Sequence, residues 1–509
     1  MELARDWLAE CSQKHSRCGP VPEAPLPTPV LDLGLGSSDA VRLRELKGHI
    51  GRYLCLSYCW GRLEFLKTTR DNFERHKQGI NPEELPRTFR DAIMIARALG
   101  VRYLWIDALC IIQDDVDDAD WKRESATMAD IYRRSYLTLA PTWARSAHAG
   151  FFSPPEDGGA SASIGPVTVH QFRHFPTMRT ATAENLVDFP VLTRAWTYQE
   201  RMLAPRVLHF CRQEILWECR ERSRCECGGS KYEEKFRLGA KENIHTVISR
   251  HCGWLIQRTW RRMIMECSPL ALTYPTDKLP AFGGLAEAMR RRTGQEYLEY
   301  LAGLWRDTLI LDMCWHRDPR VNPRPSSQTV RRRPTWSWAS VDNAVMYQFP
   351  LWESGVFPPN LEQYAEVLDA GCSLAGPSPT GPVHDGFVEL MCSAIRAYPA
   401  GRNPAGWELR VGSAMLRFYL DWGTKLEEDG EYYLIPMLTI RGEHNYHLIA
   451  TTIRVGSKHS NFLFYGLVVR PNAPDSKEMV RVGLAWEDWI SDSDLQEMVS
   501  QEKRRVRIV

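Results

Sequence analysis

Net charge is nearly absent from this chain: 64 Lys and Arg balance 63 Asp and Glu across 509 residues, leaving +1. A general nucleic-acid binder needs many cationic contacts to phosphate, so no nucleic-acid partner is expected. The one basic run, KRRVR at Lys503–Arg507, reads as a solvated tail. Long apolar runs are missing too. None approaches the roughly 18 residues of a membrane span, and the opening MELARDWLAECSQKH is charged where a signal peptide would be apolar. Without a secretory signal, 14 cysteines imply a reducing compartment and free thiols. A cytoplasmic location is expected.

Several chemistries lack their signatures. Ser57 and Cys59 sit in no GxSxG elbow, which leaves a hydrolase triad unsupported. GLGSSD at Gly34–Asp39 has neither the Lys-Ser/Thr of a phosphate loop nor a helix behind it, and reads as a turn. The acidic run Gln113–Asp120 lacks the spacing and closing Glu of a calcium loop. His209, Cys211, Cys219, Cys225 and Cys227 crowd together, but Cys225-x-Cys227 has a one-residue gap and no second pair follows, so no metal is expected. There is no internal repeat, low-complexity tract or nucleotide-binding oligomerisation motif.

What is present is an alternation. YLCLSY, VRYLWIDALCII and SYLTLAP are apolar runs that read as strands. Between them lie PRTFRDAIMIARALG, with Phe89, Ala92, Ile93 and Ala96 at helical spacing and a stop at Gly100, and the helical WKRESATMADIYRRS. Strands alternating with helices predict a parallel sheet covered on both faces, whose ligands sit off the carboxyl ends of its strands. From about residue 235 the texture turns helical. Pro- and Gly-rich linkers are read at Pro323–Pro334 and Gly371–Gly386, and the last stretch is strand-rich, as in a sandwich or barrel.

A few residues stand against this apolar background. On the helical wheel of WKRESATMADIY, Glu124 falls inside the stripe of Met128, Ile131 and Tyr132, where a carboxylate needs a partner or a raised pKa. Asp107 interrupts an otherwise apolar strand, with Cys110 three residues on. YLCLSY ends on Tyr-Cys-Trp-Gly, which places Ser57, Trp60 and Gly61 at the sheet edge. Trp196, Gln199 and Glu200 share a helix face, with Arg194 and Arg201 in reach as ion-pair partners. Each has a plain alternative as a structural hydrogen-bond hub, core side chain or interdomain contact.

In order, WLAECSQKHSRC, YLCLSYCWG, LPRTFRDAIMIARALGVRYLWIDALCIIQDD, DWKRESATMADIYRRSYLTLAP with GFF after it, and TRAWTYQERMLAPRVLHFCRQEILWEC resemble the HET (heterokaryon incompatibility) domain of filamentous fungi. DKLPAFGGLA, YLAGLW and PTWSWASVD resemble the region that trails it. The family implies an intracellular fungal protein, and its best-known members trigger cell death when genetically unlike hyphae fuse. The domain is also distantly similar to TIR domains, which share a flavodoxin-like sheet. Some of these cleave NAD at the nicotinamide–ribose bond through a glutamate on the helix after the third strand. The resemblance maps that helix to WKRESATMADIY and that glutamate to Glu124.

The expected architecture is therefore α/β. A flavodoxin/TIR-like parallel sheet flanked by helices forms a HET domain with its lead-in over 1–235. A helical connecting region packed on it spans 236–345, and a β-rich C-terminal domain spans 346–509. The expected site has Glu124 and Asp107 as catalytic acids, with Ser57, Trp60, Gly61, Cys110 and Trp121 lining a nucleotide-sized pocket. No tightly bound cofactor is expected, and NAD enters as a candidate substrate. Three functional readings stand open: a self/non-self or cell-death effector that consumes NAD, a small-molecule enzyme reusing the scaffold for an isomerase, cyclase or lyase step, and a non-enzymatic module that signals by self-association.

Overall fold

The computed structural model describes residues 1–18, 23–34, 36, 40–114, 119–153, 161–164, 167–170, 186–228, 241, 253–293, 299–319, 321, 334–347, 361–376, 378–403, 406–421, 426–427, 429–441, 462–487 and 490–509. Contacts gather these into two compact units. The first holds Met1–Arg250, Leu270–Tyr274 and Pro280–Ala288, and the second holds His251–Pro269, Pro275–Leu279 and Met289–Val509.

The first unit opens with helix α1 (Glu2–Lys14). Among the described residues its main sheet has eight strands: β1 (Val30–Asp32), β2 (Arg42–Arg44), β3 (Tyr53–Leu56), β4 (Tyr103–Trp105), β5 (Leu137–Ala140), β6 (Arg206–Phe210), β7 (Ile215–Cys219) and β8 (Ser223–Cys225). Their spatial order is β8-β7-β6-β5-β3-β4-β1-β2. The middle four are parallel, with Cys55 opposite both Trp105 and Thr138, and Leu139 opposite Leu208. The outer pairs are antiparallel. Numbered along the chain, the parallel strands stand side by side as 2-1-3-4. β3, β4 and β5 carry fully or nearly fully apolar runs, as strands covered on both faces require.

Helix α2 (Arg87–Ala98) links β3 to β4. It begins after Pro86, held at φ −64 and ψ 158, and buries Phe89, Ala92, Ile93 and Ala96. It ends where Gly100 adopts φ +71, a left-handed turn that favours glycine. The predicted strand VRYLWIDALCII is corrected here. Only Tyr103–Trp105 is strand, and a helical turn, α3 (Asp107–Cys110), follows it. The physical reason is the Asp107 carboxylate, whose Oδ1 accepts the Ala108 N–H at 2.7 Å and starts the turn. Helix α4 (Ala119–Arg134) then leads to β5, and α5 (Ala195–Leu203) leads to β6. Right-handed crossovers that step in opposite directions lie on opposite faces, so α4 and α5 share one face and pack together, with α2 on the other.

The second unit contains helix α6 (Gly253–Cys267). Helix α7 (Pro280–Thr293) starts in the first unit and ends in the second. Among the described residues its large sheet has ten strands: β9 (Leu361–Gln363), β10 (Glu366–Leu374), β11 (Val383–Cys392), β12 (Ile395–Asn403), β13 (Gly406–Val411), β14 (Ala414–Leu420), β15 (Tyr432–Arg441), β16 (Phe462–Pro471), β17 (Glu478–Glu487) and β18 (Arg504–Ile508). Six of them, β12-β13-β14-β17-β16-β15, pair in a ring, because β15 also pairs with β12. A closed ring leaves no exposed edge. Leu409, Leu416, Phe418, Leu434, Phe464 and Val468 pack in its apolar cluster.

Two sequence expectations change in this unit. Gly371–Gly386 is no linker but part of the β10–β11 hairpin, with Gly371 opposite Phe387. KRRVR is no free tail: β18 pairs with β11, and Arg507 donates to Glu389 at 2.8 Å. The expected strand YHLIATTIRV lies outside the described residues. Among those residues, no helix is long and apolar enough to cross a membrane.

Candidate functional site

Where parallel strands run 2-1-3-4, the chain leaves β3 and β5 in opposite directions, and a crevice forms beyond their carboxyl ends. Three segments emerge at that edge: Ser57–Gly61 from β3, Asp107 from β4 and Pro141–Thr142 from β5. Helix α5 adds Arg194 at its start and Glu200 along its length.

Trp60 Nε1 donates to Asp107 Oδ2 at 2.9 Å, which explains the abrupt Tyr-Cys-Trp-Gly ending of the strand. The indole fixes one carboxylate oxygen while the Ala108 N–H fixes the other. The Tyr58 phenol faces the same carboxylate, and its ring meets Phe89 edge-on, with centroids 5.2 Å apart. Desolvation raises the Asp107 pKa against the pull of Trp60, the Ala108 amide and Arg194. Arg194 also hydrogen-bonds the Cys59 thiol, whose pKa burial nonetheless pushes up. Cys59 is therefore kept as a thiol and is no ready nucleophile.

Glu200 closes the group. Only 6% of its surface is exposed, and burial pushes its pKa up to about 7. The Ser57 hydrogen bond and the Arg194 cation resist that rise, while the Asp107 charge adds to it. Tyr132, which donates to Leu56 O at 2.9 Å, lines the same spot. Two carboxylates and one guanidinium thus share a corner in which Glu200 is buried. Trp60, Asp107, Arg194 and Trp196 remain partly exposed around it. Such a corner can stabilise developing positive charge with a carboxylate and hold an anionic group with Arg194.

Of the expected site residues, Ser57, Trp60 and Asp107 come together here. Gly61 adjoins them, and its glycine has a local cause: φ is +82, and a Cβ would sit 2.3 Å from Ser146 Cβ. Cys110 is a buried core thiol at the end of α3. The side chains of Glu124 and Trp121 lie outside the described residues. Glu200 and Arg194 complete the group; the density of polar residues in TRAWTYQER was their signal. Their helix neighbours serve the frame. Arg201 makes a bidentate pair with Glu218 at 2.7 and 2.8 Å, and Gln199 Oε1 accepts the Gly284 N–H at 2.7 Å. Although burial alone would raise Glu218, Arg201 and His209 hold its pKa well below the carboxylate range. His209 is itself pushed down to about 4 by burial.

Residues 53–200 match the family described as Heterokaryon incompatibility protein (HET). That span runs from the first residue of β3 to Glu200 itself, so it covers every member of the acidic corner. Residues 53–200 are thus a HET domain within this chain. No curated protein and no solved structure matches it.

Proposed function

We propose that this chain is a fungal effector of self/non-self recognition and cell death whose HET domain cleaves NAD at the nicotinamide–ribose bond, with Glu200 as the catalytic carboxylate. One observation carries the reading. The parallel strands run 2-1-3-4, as in a flavodoxin- or TIR-like sheet. On that count the helix after the third parallel strand is α5, and its buried acid is Glu200. Glu124 lies on α4, after the second.

In the reaction, the C1′–N bond breaks and its electron pair leaves with nicotinamide, discharging the pyridinium. The ribose acquires oxocarbenium character beside the Glu200 carboxylate, water adds to C1′, and one proton is released. Arg194 faces a phosphate, and Trp60 holds Asp107 in place.

The test is free nicotinamide release from NAD by the purified protein, run over a concentration series, beside Glu200→Gln and Glu124→Gln of matched melting temperature. Glu200→Gln should lose turnover by on the order of 100-fold or more, and Glu124→Gln should retain it. The reverse pattern would assign the chemistry to Glu124. A folded wild type that stays inert at every concentration would remove NAD cleavage altogether.

A further inference from the structure

The N-terminal lead-in carries a Cys-x3-His-x2-Cys pattern that the chemistry above does not use. The fold brings it to a fourth donor far along the chain. Cys11, His15, Cys18 and Cys219 are all buried, and one donor atom from each lies within 4.8 Å of the others. His15 Nδ1 is 3.3 Å from Cys219 Sγ. A tetrahedron with metal–sulfur bonds of about 2.3 Å has edges of roughly 3.8 Å, so the grouping has the size of a single metal site.

Each donor has a structural reason to be there. Cys11 sits in the last turn of α1, and His15 ends that helix in an extended conformation. A turn from His15 O to Cys18 N, 3.2 Å, then brings Cys18 back. Cys219 is the last residue of β7, at the turn into β8, where Cys219 N donates to Arg222 O at 2.9 Å. In return Arg222 N–H points at Cys219 Sγ at 3.3 Å, and the Arg220 amide points at Cys18. Amide donors aimed at sulfur are what a thiolate cluster needs as its outer shell.

The charge also balances. Three thiolates, one neutral imidazole and a divalent ion carry a net −1, and a buried cation stands against it. Arg206, 1% exposed, places Nε 3.2 Å from Cys11 Sγ. The surrounding contacts tie the same two elements: Arg224 clasps Glu10 at 2.6 and 2.8 Å, and Arg17 N donates to Glu221 at 3.1 Å.

We propose that Cys11, His15, Cys18 and Cys219 bind one zinc ion that fastens α1 to the β7–β8 turn. Soft thiolates with one imidazole in a closed tetrahedral set select zinc, and a site with four protein donors and no open position is structural. A second grouping among the described residues, Glu214 with Cys225 and Cys227, has three donors, one of them exposed, and serves as the control.

The test uses the full-length protein purified with zinc supplied. Elemental analysis should find about one zinc per chain. Cobalt(II) exchanged into the site should show visible d–d bands and a thiolate charge-transfer band, saturating at one equivalent. Cys18→Ser should lose both signals, His15→Cys should keep the metal with shifted cobalt bands, and the double variant Cys225→Ser, Cys227→Ser should keep both unchanged. Should Cys18→Ser fail to fold, alkylation of the wild type decides: Cys11, Cys18 and Cys219 should label faster after a strong chelator is added, while Cys227 labels at once either way. Metal that follows Cys225 and Cys227 would overturn the site. So would a zinc-free protein with no cobalt spectrum, a disulfide among the three cysteines, or labelling that ignores the chelator.

Discussion

An acid whose pKa is pushed to about 7 is only half ionised at neutral pH, and Glu200 is in that position because burial outweighs Ser57 and Arg194. Two measurable consequences follow from this single residue. Cleavage that needs the carboxylate should rise with pH through about 7 and level off above it, in a profile that Glu200→Gln lacks. The second concerns stability. Between its ordinary 4.5 and about 7, the folded state holds a proton on Glu200 that the unfolded chain has released. Wild-type stability therefore falls as pH rises through that window, at up to about 1.4 kcal/mol per unit. Gln cannot titrate. Denaturant midpoints at pH 5 and pH 8 should show Glu200→Gln gaining on the wild type by up to roughly 3 kcal/mol. A gap that does not change with pH would mean that Glu200 is ionised throughout.

At the scale of elements, α5 is held where it is by a helix that approaches it closely. Gly284 on α7 donates to Gln199, and a Cβ at that position would lie 2.4 Å from Ala129 Cβ on α4 and 2.5 Å from Gln199 Oε1. Helix propensity alone would favour alanine by about 1 kcal/mol. The clash with a Cβ that cannot rotate away is expected to win, so Gly284→Ala should cost about 1–3 kcal/mol by chemical denaturation and lower turnover through the shifted α5. A stabilised variant would show that the helices can separate at little cost. The elements themselves were largely legible, because α2 and the parallel strands carry their periods locally. Trp60 was legible as an aromatic group at a strand end, and Asp107 as an acid interrupting an apolar run. What pairs with them was not: Ser57 meets Glu200, and Cys18 meets Cys219, only through the folded sheet. The helical wheel could place Glu124 on a face, but the count of parallel strands on which the proposal of Glu200 rests is written in neither helix. Ring closure between β12 and β15 likewise leaves no trace in either strand's own alternation.

For the whole molecule, the division into two units implies two cooperative responses, and a buried ion pair in the second unit offers a way to separate them. Arg481 and Asp421 are both fully buried, with Arg481 Nε 2.6 Å from Asp421 Oδ2. The rest of the guanidinium donates to Met313 O at 2.5 Å and to Trp315 O, and lies over the Trp315 ring 3.5 Å from its centroid. Three residues converge on one side chain, two of them, Met313 and Trp315, from outside its own strand β17 and its barrel neighbours. Arg481→Met leaves Asp421 buried without its charge partner, a loss of about 3–5 kcal/mol. Adding Asp421→Leu removes the stranded charge and should restore part of that loss. Native-state hydrogen exchange should report where the loss falls. The amides of Asp421 and Arg481, bonded to Val482 O and Thr335 Oγ1, should exchange faster by the factor set by the lost stability, about tenfold for each 1.4 kcal/mol. The amides of Ala195 and Gly284, bonded to Ala271 O and Gln199 Oε1 in the first unit, should keep their wild-type rates. If all four accelerate together, the chain unfolds as one body, and the acidic corner at the end of β3 depends on the barrel for its stability.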